Sequence, residues 1–256
     1  MRRLWVRWAG LVVFVAVLGI VFVNLGEWQL NRLNQRQDRN ASTIANEQAP
    51  VKPYAQVFTR EITEADQWQR VTATGTYDPD HQFVVRNRNN GDDRGYEVVT
   101  PLRTATGAVL VDRGFVTVAP GTGIPTTGPP PPPGEVTVIG HVRRNEQGRR
   151  GAIQPVDASV RLINSDALQT AIPYPVANGY IGALQTTPAQ SGGLAPVPVP
   201  ELSNGPHFWY AMQWFMFAGI GILGIVVFIR SDLRDRRTAQ QQRRSSQDRE
   251  HTTADR

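Results

Sequence analysis

Two stretches of this chain carry almost no polar side chain. From Trp8 to Val23 none is charged or strongly polar, and from Phe208 to Ile229 Gln213 is the one strongly polar side chain. At a rise of about 1.5 Å per residue such runs reach roughly 28 to 33 Å, the thickness of a bilayer's hydrocarbon core. They predict transmembrane helices at 8–26 and 208–229. A cleaved leader fits the first run poorly: it is too long for a leader's apolar core, and Val23-Asn24-Leu25-Gly26 is no cleavage site. Trp5 and Trp8 read as an interfacial belt, and the segment is expected to be an uncleaved anchor.

Between the two runs the pattern changes. Gly26–Asn46 is polar but compatible with helix and continues the first anchor until Pro50 and Pro53 end it. Five short segments rich in Val, Thr and aromatics then follow, partly alternating as strands do: 70–77, 82–88, 95–103, 108–118 and 135–143. Turn chemistries separate them, among them Asp78-Pro79-Asp80, the run from Asn89 to Asp93, and Thr106-Gly107. Residues 160–172 read as a short helix and 180–187 as a last strand. Proline-rich segments at 121–134 and 188–206 are expected to be an extended hairpin loop and a semi-rigid spacer. The predicted fold is a membrane protein in which two transmembrane α-helices flank a mainly antiparallel β domain, barrel- or sandwich-like and of α+β class, over 27–207.

Charge sets an orientation. Residues 1–7 carry three basic side chains and no acidic one, and residues 230–256 carry eight basic against five acidic. The segment between the anchors has 16 basic and 17 acidic residues, so the net charge of +5 resides at the ends. Both ends are therefore expected in the cytoplasm of a plasma-membrane protein, with 27–207 outside. The basic balance reports topology and is poor evidence for nucleic-acid binding, so no nucleic acid is expected as a partner. The tail 230–256 is rich in Gln, Arg and Ser and is expected to be disordered. The chain has no cysteine, which excludes disulfides and thiolate metal sites.

Few motifs carry chemistry. Gly219-x-Gly221-x-x-Gly224 has dinucleotide-fingerprint spacing, yet it lies inside a predicted membrane helix, where glycines permit close packing. Arg113-Gly114-Phe115-Val116 is a faint RNA-binding pattern in a segment predicted to lie outside the cytoplasm. His81, His141 and His251 have no metal-ligand spacing, and no Ser or Thr comes with a base. His207 stands at the outer mouth of the second anchor, where an imidazole is either a haem ligand or an interfacial side chain bonded to a loop carbonyl. At about 100° per residue, His207, Ala211, Trp214, Ala218 and Gly221 fall within about 80° of one helix face. Ala9, Ala16, Gly19 and Gly26 form a comparable small stripe on the first helix, which would place His207 opposite Gly26–Trp28.

Three blocks of the sequence carry a resemblance. Leu25-Gly26-Glu27-Trp28-Gln29-Leu30-x-Arg32-Leu33 follows the first anchor. Gly95-Tyr96-x-Val98-Val99-Thr100-Pro101-Leu102 leads to the run from Val109 to Val116, and Asn204-x-x-His207-Phe208-x-Tyr210-Ala211-x-Gln213-Trp214-Phe215 opens the second anchor. In order, spacing and layout, over about residues 8 to 230, they resemble the Surfeit locus protein one family, called Shy-one in yeast. Asp112 and Phe115 stand where that family usually has Asn and Trp.

The resemblance implies a non-catalytic assembly factor for haem-copper cytochrome c oxidase, helping haem A reach or stay in the main subunit. It implies His207 as the ligand of haem iron, with Arg32, Tyr210 and Trp214 in support. The partners implied are the main oxidase subunit, haem A synthase and membrane lipid. The alternative is a structural scaffold or accessory subunit of the oxidase that binds no haem. Copper delivery fits poorly, because Cu(I) asks for soft ligands and the chain offers only Met1, Met212 and Met216.

Overall fold

The computed structural model describes residues 2–197, 199 and 202–254, with side chains from 5 to 239 and at 241. The chain forms two compact units, Met1–Asp38 with Ser203–Arg256, and Arg39–Leu202.

The helical unit is built from α1 (Arg2–Gln48) and α5 (His207–Ala254), which contribute to it as far as Asp38 and from His207 onward. Both helices are long and apolar enough to cross a membrane. Of their apolar windows 6% and 0% are buried inside the protein, unlike the core helix of a soluble domain. The expected spans lie within these helices. The tail beyond Arg237, expected to be disordered, instead continues α5 to Ala254, because no Gly or Pro interrupts residues 225–254 to break it. Asp255 and Arg256 lie outside the described residues.

The two helices pack antiparallel, since contacts climb one as they descend the other. The Arg236 guanidinium lies 5.3 Å over the Trp8 ring, a Cβ on Gly221 would be 3.2 Å from Val15, and Phe22 stacks on Trp214 with centroids 5.7 Å apart. Gly26 and Ala211 are buried at the closest approach, where a Cβ on Gly26 would meet the Phe215 ring at 2.6 Å. The small-residue stripes therefore meet only in part. Ala16, Gly19 and Ala218 line an apolar cleft of about 540 Å³, and Cβ atoms on Gly219 or Gly224 would touch nothing.

The β unit begins with the C-terminal end of α1, where Asn46 donates to the carbonyls of Ala65 and Gln67, both at 2.8 Å. Among its described residues is an eight-stranded sheet of β1 (Lys52–Pro53), β2 (Arg70–Tyr77), β3 (Phe83–Asn90), β4 (Asp93–Thr104), β5 (Gly107–Thr117), β6 (Glu135–Arg143), β7 (Ser159–Val160) and β8 (Val176–Thr187). Short helices α2 (Tyr54–Val57), α3 (Arg150–Ile153) and α4 (Ser165–Leu168) decorate it. The order is β1-β2-β6-β8-β5-β4-β3-β7, and β2 also pairs with β4 through Gly75–Tyr77, so the pairings of five strands return on themselves. The sheet is mixed, with antiparallel pairing in the majority as expected: β1–β2, β3–β7 and β5–β8 run parallel and the other five pairings antiparallel. The expected helix at 160–172 shrinks to α4 and a 3-10 turn, because Ser159–Val160 pairs with β3.

β5 is nearly all buried because it has neighbours on both edges and cores on both faces, which is why its sequence reads as a run rather than an alternation. Val109 and Val111 face one core with Leu102 and Ile181, while Leu110 faces the other with Phe83, Ile163 and Leu168. Each such side chain contributes about 1.5–3 kcal/mol.

The proline-rich segments differ from expectation. Residues 121–134 do not close a hairpin, since β8 lies between β5 and β6. They form a strap held by Arg113, which is 1% exposed. Its guanidinium donates to the carbonyls of Pro129 at 2.8 Å and Pro130 at 3.0 Å, to Gln82 Oε1 at 2.8 Å and to Gln190 Oε1 at 2.8 Å. Gln190 belongs to the second proline-rich segment, in which Ala195 pairs with Phe115. Gly114 makes that approach possible, at φ +129° and with a Cβ position only 2.5 Å from the Ala195 carbonyl oxygen. Neither segment is a free spacer where it is described, and shortening the first would strip a buried cation of its acceptors. Pro198, Pro200 and Glu201 lie outside the described residues.

Candidate functional site

The helical unit is where the candidate side chains gather. Phe22, Gly26 and Gln29 share one face of α1 at i, i+4 and i+7, and His207, Ala211 and Trp214 share one face of α5. With Gly26 and Ala211 buried at the crossing, the next turn of each helix brings Gln29 against His207. The His207 Nδ1 lies 2.8 Å from Gln29 Oε1. The half-buried imidazole is thus held by a side chain of the other helix rather than by a loop carbonyl. Gln29 was not singled out from the sequence, although it sits in the Trp-Gln block and one turn beyond Gly26. The carbon Cδ2, bonded to Nε2, lies 3.4 Å from where a Cβ on Gly205 would be, and Arg36 Nη1 lies 3.1 Å from the same point. Gly205 has φ +64°, so the turn into α5 suits glycine and leaves that edge of the ring free of a side chain at position 205.

The other expected residues stand around it on the two helices. Trp214 is engaged with Phe22 and with Phe217, at 5.7 and 5.9 Å between ring centroids, and serves helix packing. Tyr210 is 48% exposed. Arg32 is exposed, 5.6 Å over the Trp28 ring and 3.4 Å from Gln35 Oε1. The apolar cleft is no part of this site. Its nearest lining residue on α1, Asn24, is five residues or about 7.5 Å along the axis from Gln29. The remaining imidazoles do other work: His81 pairs with Asp78 at 2.8 Å, and His141 is buried edge-on to Trp68 at 5.4 Å. The His251 side chain lies outside the described residues. Among the described residues no group of three or more His, Asp or Glu side chains is placed to hold a metal ion.

The SURF1 family model, that of the Surfeit locus protein one family, matches residues 16–219. The chain belongs to the SURF1 family. It is 30% identical over 232 residues to SURF1-like proteins of Mycobacterium bovis and Mycobacterium tuberculosis, covering 88% of this chain and 84% of each relative. It is also 32% identical over 105 residues to a SURF1-like protein of Rickettsia felis, covering 40% of this chain and 44% of that one. The family is known in general for cytochrome oxidase assembly factors and not for enzymes.

A second polar cluster lies inside the β unit. A register shift between Val85 and Arg88, with Asn87 at φ +62°, turns Arg88 inward, where it pairs with Glu97 and Glu146, each at 2.7 Å. Asp112 is buried beside them and accepts from the Gly114 N–H at 3.1 Å. Burial first, and then the Glu97 charge, hold its carboxyl well above the usual range. Glu97 is raised too, chiefly by burial. A neutral Asp112 has the shape of the Asn that the family resemblance leads one to expect there.

Proposed function

We propose that this chain is an assembly factor of haem-copper cytochrome c oxidase that holds haem A on its way to the main oxidase subunit, with His207 as the axial ligand. The reading is supported by one contact above all. An imidazole at the junction of two membrane-length helices is anchored through Nδ1 by Gln29 at 2.8 Å, which suits Nε2 to a metal. The donor chemistry fits the group: a single imidazole for iron, the Arg36 and Arg32 guanidiniums for propionates, and exposed Trp28, Phe208 and Tyr210 rings for an apolar macrocycle. In this reading both termini are cytoplasmic and the β unit lies outside the plasma membrane, where it meets the main oxidase subunit and haem A synthase. The protein is not itself an enzyme.

The test is His207→Ala in the full chain, produced in cells that make haem A. Bound haem is expected to be lost while the protein reaches the membrane at normal level, since the change buries no charge and opens no deep cavity. Trp214→Phe should keep the haem with a modest spectral change. An unchanged Soret band in His207→Ala would instead favour the scaffold reading, in which His207 only joins the helices.

A further inference from the structure

We infer that Gln29 is the positioning residue of the His207 site: its side-chain carbonyl holds the imidazole as the Nδ1–H tautomer and turns the Nε2 lone pair outward. The inference rests on the haem reading for its purpose, though not for its geometry. A neutral imidazole has one N–H and one lone pair, and the partner of either nitrogen decides which is which. An amide oxygen only accepts, so Oε1 at 2.8 Å from Nδ1 requires the proton on Nδ1, and in the neutral ring that leaves the lone pair on Nε2. With the Gln29 amide turned over, its NH2 would donate to Nδ1, Nε2 would carry the proton, and the ring could not bind iron through that edge.

The rest of the helical unit supports this assignment. Gln29 lies three residues beyond Gly26, whose lack of a side chain lets the Phe215 ring come close, and His207 lies four residues before buried Ala211. Both partners stand on helix faces fixed by that crossing rather than on loops. Cδ2 of the ring lies 3.4 Å from where a Cβ on Gly205 would stand, a place that glycine leaves empty, and Arg36 Nη1 lies 3.1 Å from the same point. An anchored nitrogen, a glycine beside the Cδ2 edge and an adjacent cation together suit a ring whose free nitrogen binds a metal.

The experiment is nitrogen-15 NMR of the histidine-labelled full chain in nanodiscs without haem, the His207 signals being assigned by their loss in His207→Ala. Wild type is expected to show a protonated Nδ1 and an unprotonated Nε2. Gln29→Leu should lose that preference, and Gln29→Glu, which keeps an acceptor at the same place, should retain it. On titration with haem A, Gln29→Leu should bind about 10- to 100-fold more weakly with a shifted Soret maximum, the usual consequence of losing a ligand's orienting partner, and Gln29→Glu should restore binding. A protonated Nε2 in wild type, or a Gln29→Leu chain with unchanged tautomer and affinity, overturns the inference. If the tautomer depends on Gln29 but His207→Ala binds haem normally, the positioning stands and the ligand reading falls.

Discussion

Arg113→Met tests how the β unit keeps its proline-rich strap. The substitution roughly conserves volume, so the cavity contribution is small, and the loss comes from four hydrogen bonds of a buried guanidinium. Gln82 and Gln190 can turn to other partners; Gln82 already donates to the Gly128 carbonyl at 3.1 Å. The carbonyls of Pro129 and Pro130 cannot turn. Pro129 is half-buried and Pro130 exposed, so water reaches these acceptors in part and losing the donor costs at most about 1–3 kcal/mol each. Relief of the buried charge offsets part of this, because a desolvated cation is itself expensive. The net loss should be about 1–4 kcal/mol, a sizeable share of the roughly 5–15 kcal/mol that stabilises a domain. Arg113→Lys should fall between, because an ammonium cannot fork toward both carbonyls. Denaturant unfolding of the full chain in detergent gives the free energy, and limited subtilisin digestion reports release of residues 121–134. A loss below about 1 kcal/mol with the strap still protected would refute the reasoning.

Three further outcomes follow from the same structure. Asp112→Asn should flatten the pH dependence of stability. The folded carboxyl sits above its ordinary value, so its stabilisation is full below the unfolded pKa and is lost as pH rises toward the folded one, each tenfold difference in proton affinity between the folded and unfolded chain being worth about 1.4 kcal/mol. The variant's advantage over wild type should therefore be larger at about pH 8 than at about pH 5, and parallel unfolding profiles would count against it. Gly26→Ala should destabilise the helix pair by about 1–3 kcal/mol through the Phe215 ring, and Phe215→Leu should relieve it; simple additivity in thermal unfolding would contradict the contact. Reporter fusions at Asn90 and after Arg256 should read extracytoplasmic and cytoplasmic, and a cytoplasmic Asn90 would reverse the orientation.

What the sequence determined by itself is local. The apolar runs behind the two long helices need only length and composition, and the strands at 70–77 and 135–143 agree to the residue with β2 and β6 because alternation and turn residues act over a few positions. The Gly91-Asp92 turn and the Thr106-Gly107 turn behaved likewise, closing β3 on β4 and β4 on β5. Tertiary structure alone decided which strands became neighbours. Nothing in residues 107–143 announces that β8 will come between β5 and β6, because parallel pairing with a distant strand leaves no local period to read. The same holds for the buried cations: Arg113 reads as a surface residue until two proline segments, 16 and 77 positions away, supply its acceptors. At the candidate site the sequence offered His207 but not its partner. Gln29 and His207 are 178 residues apart, and only the packing of Gly26 against Phe215 brings an amide oxygen within hydrogen-bond reach of that imidazole.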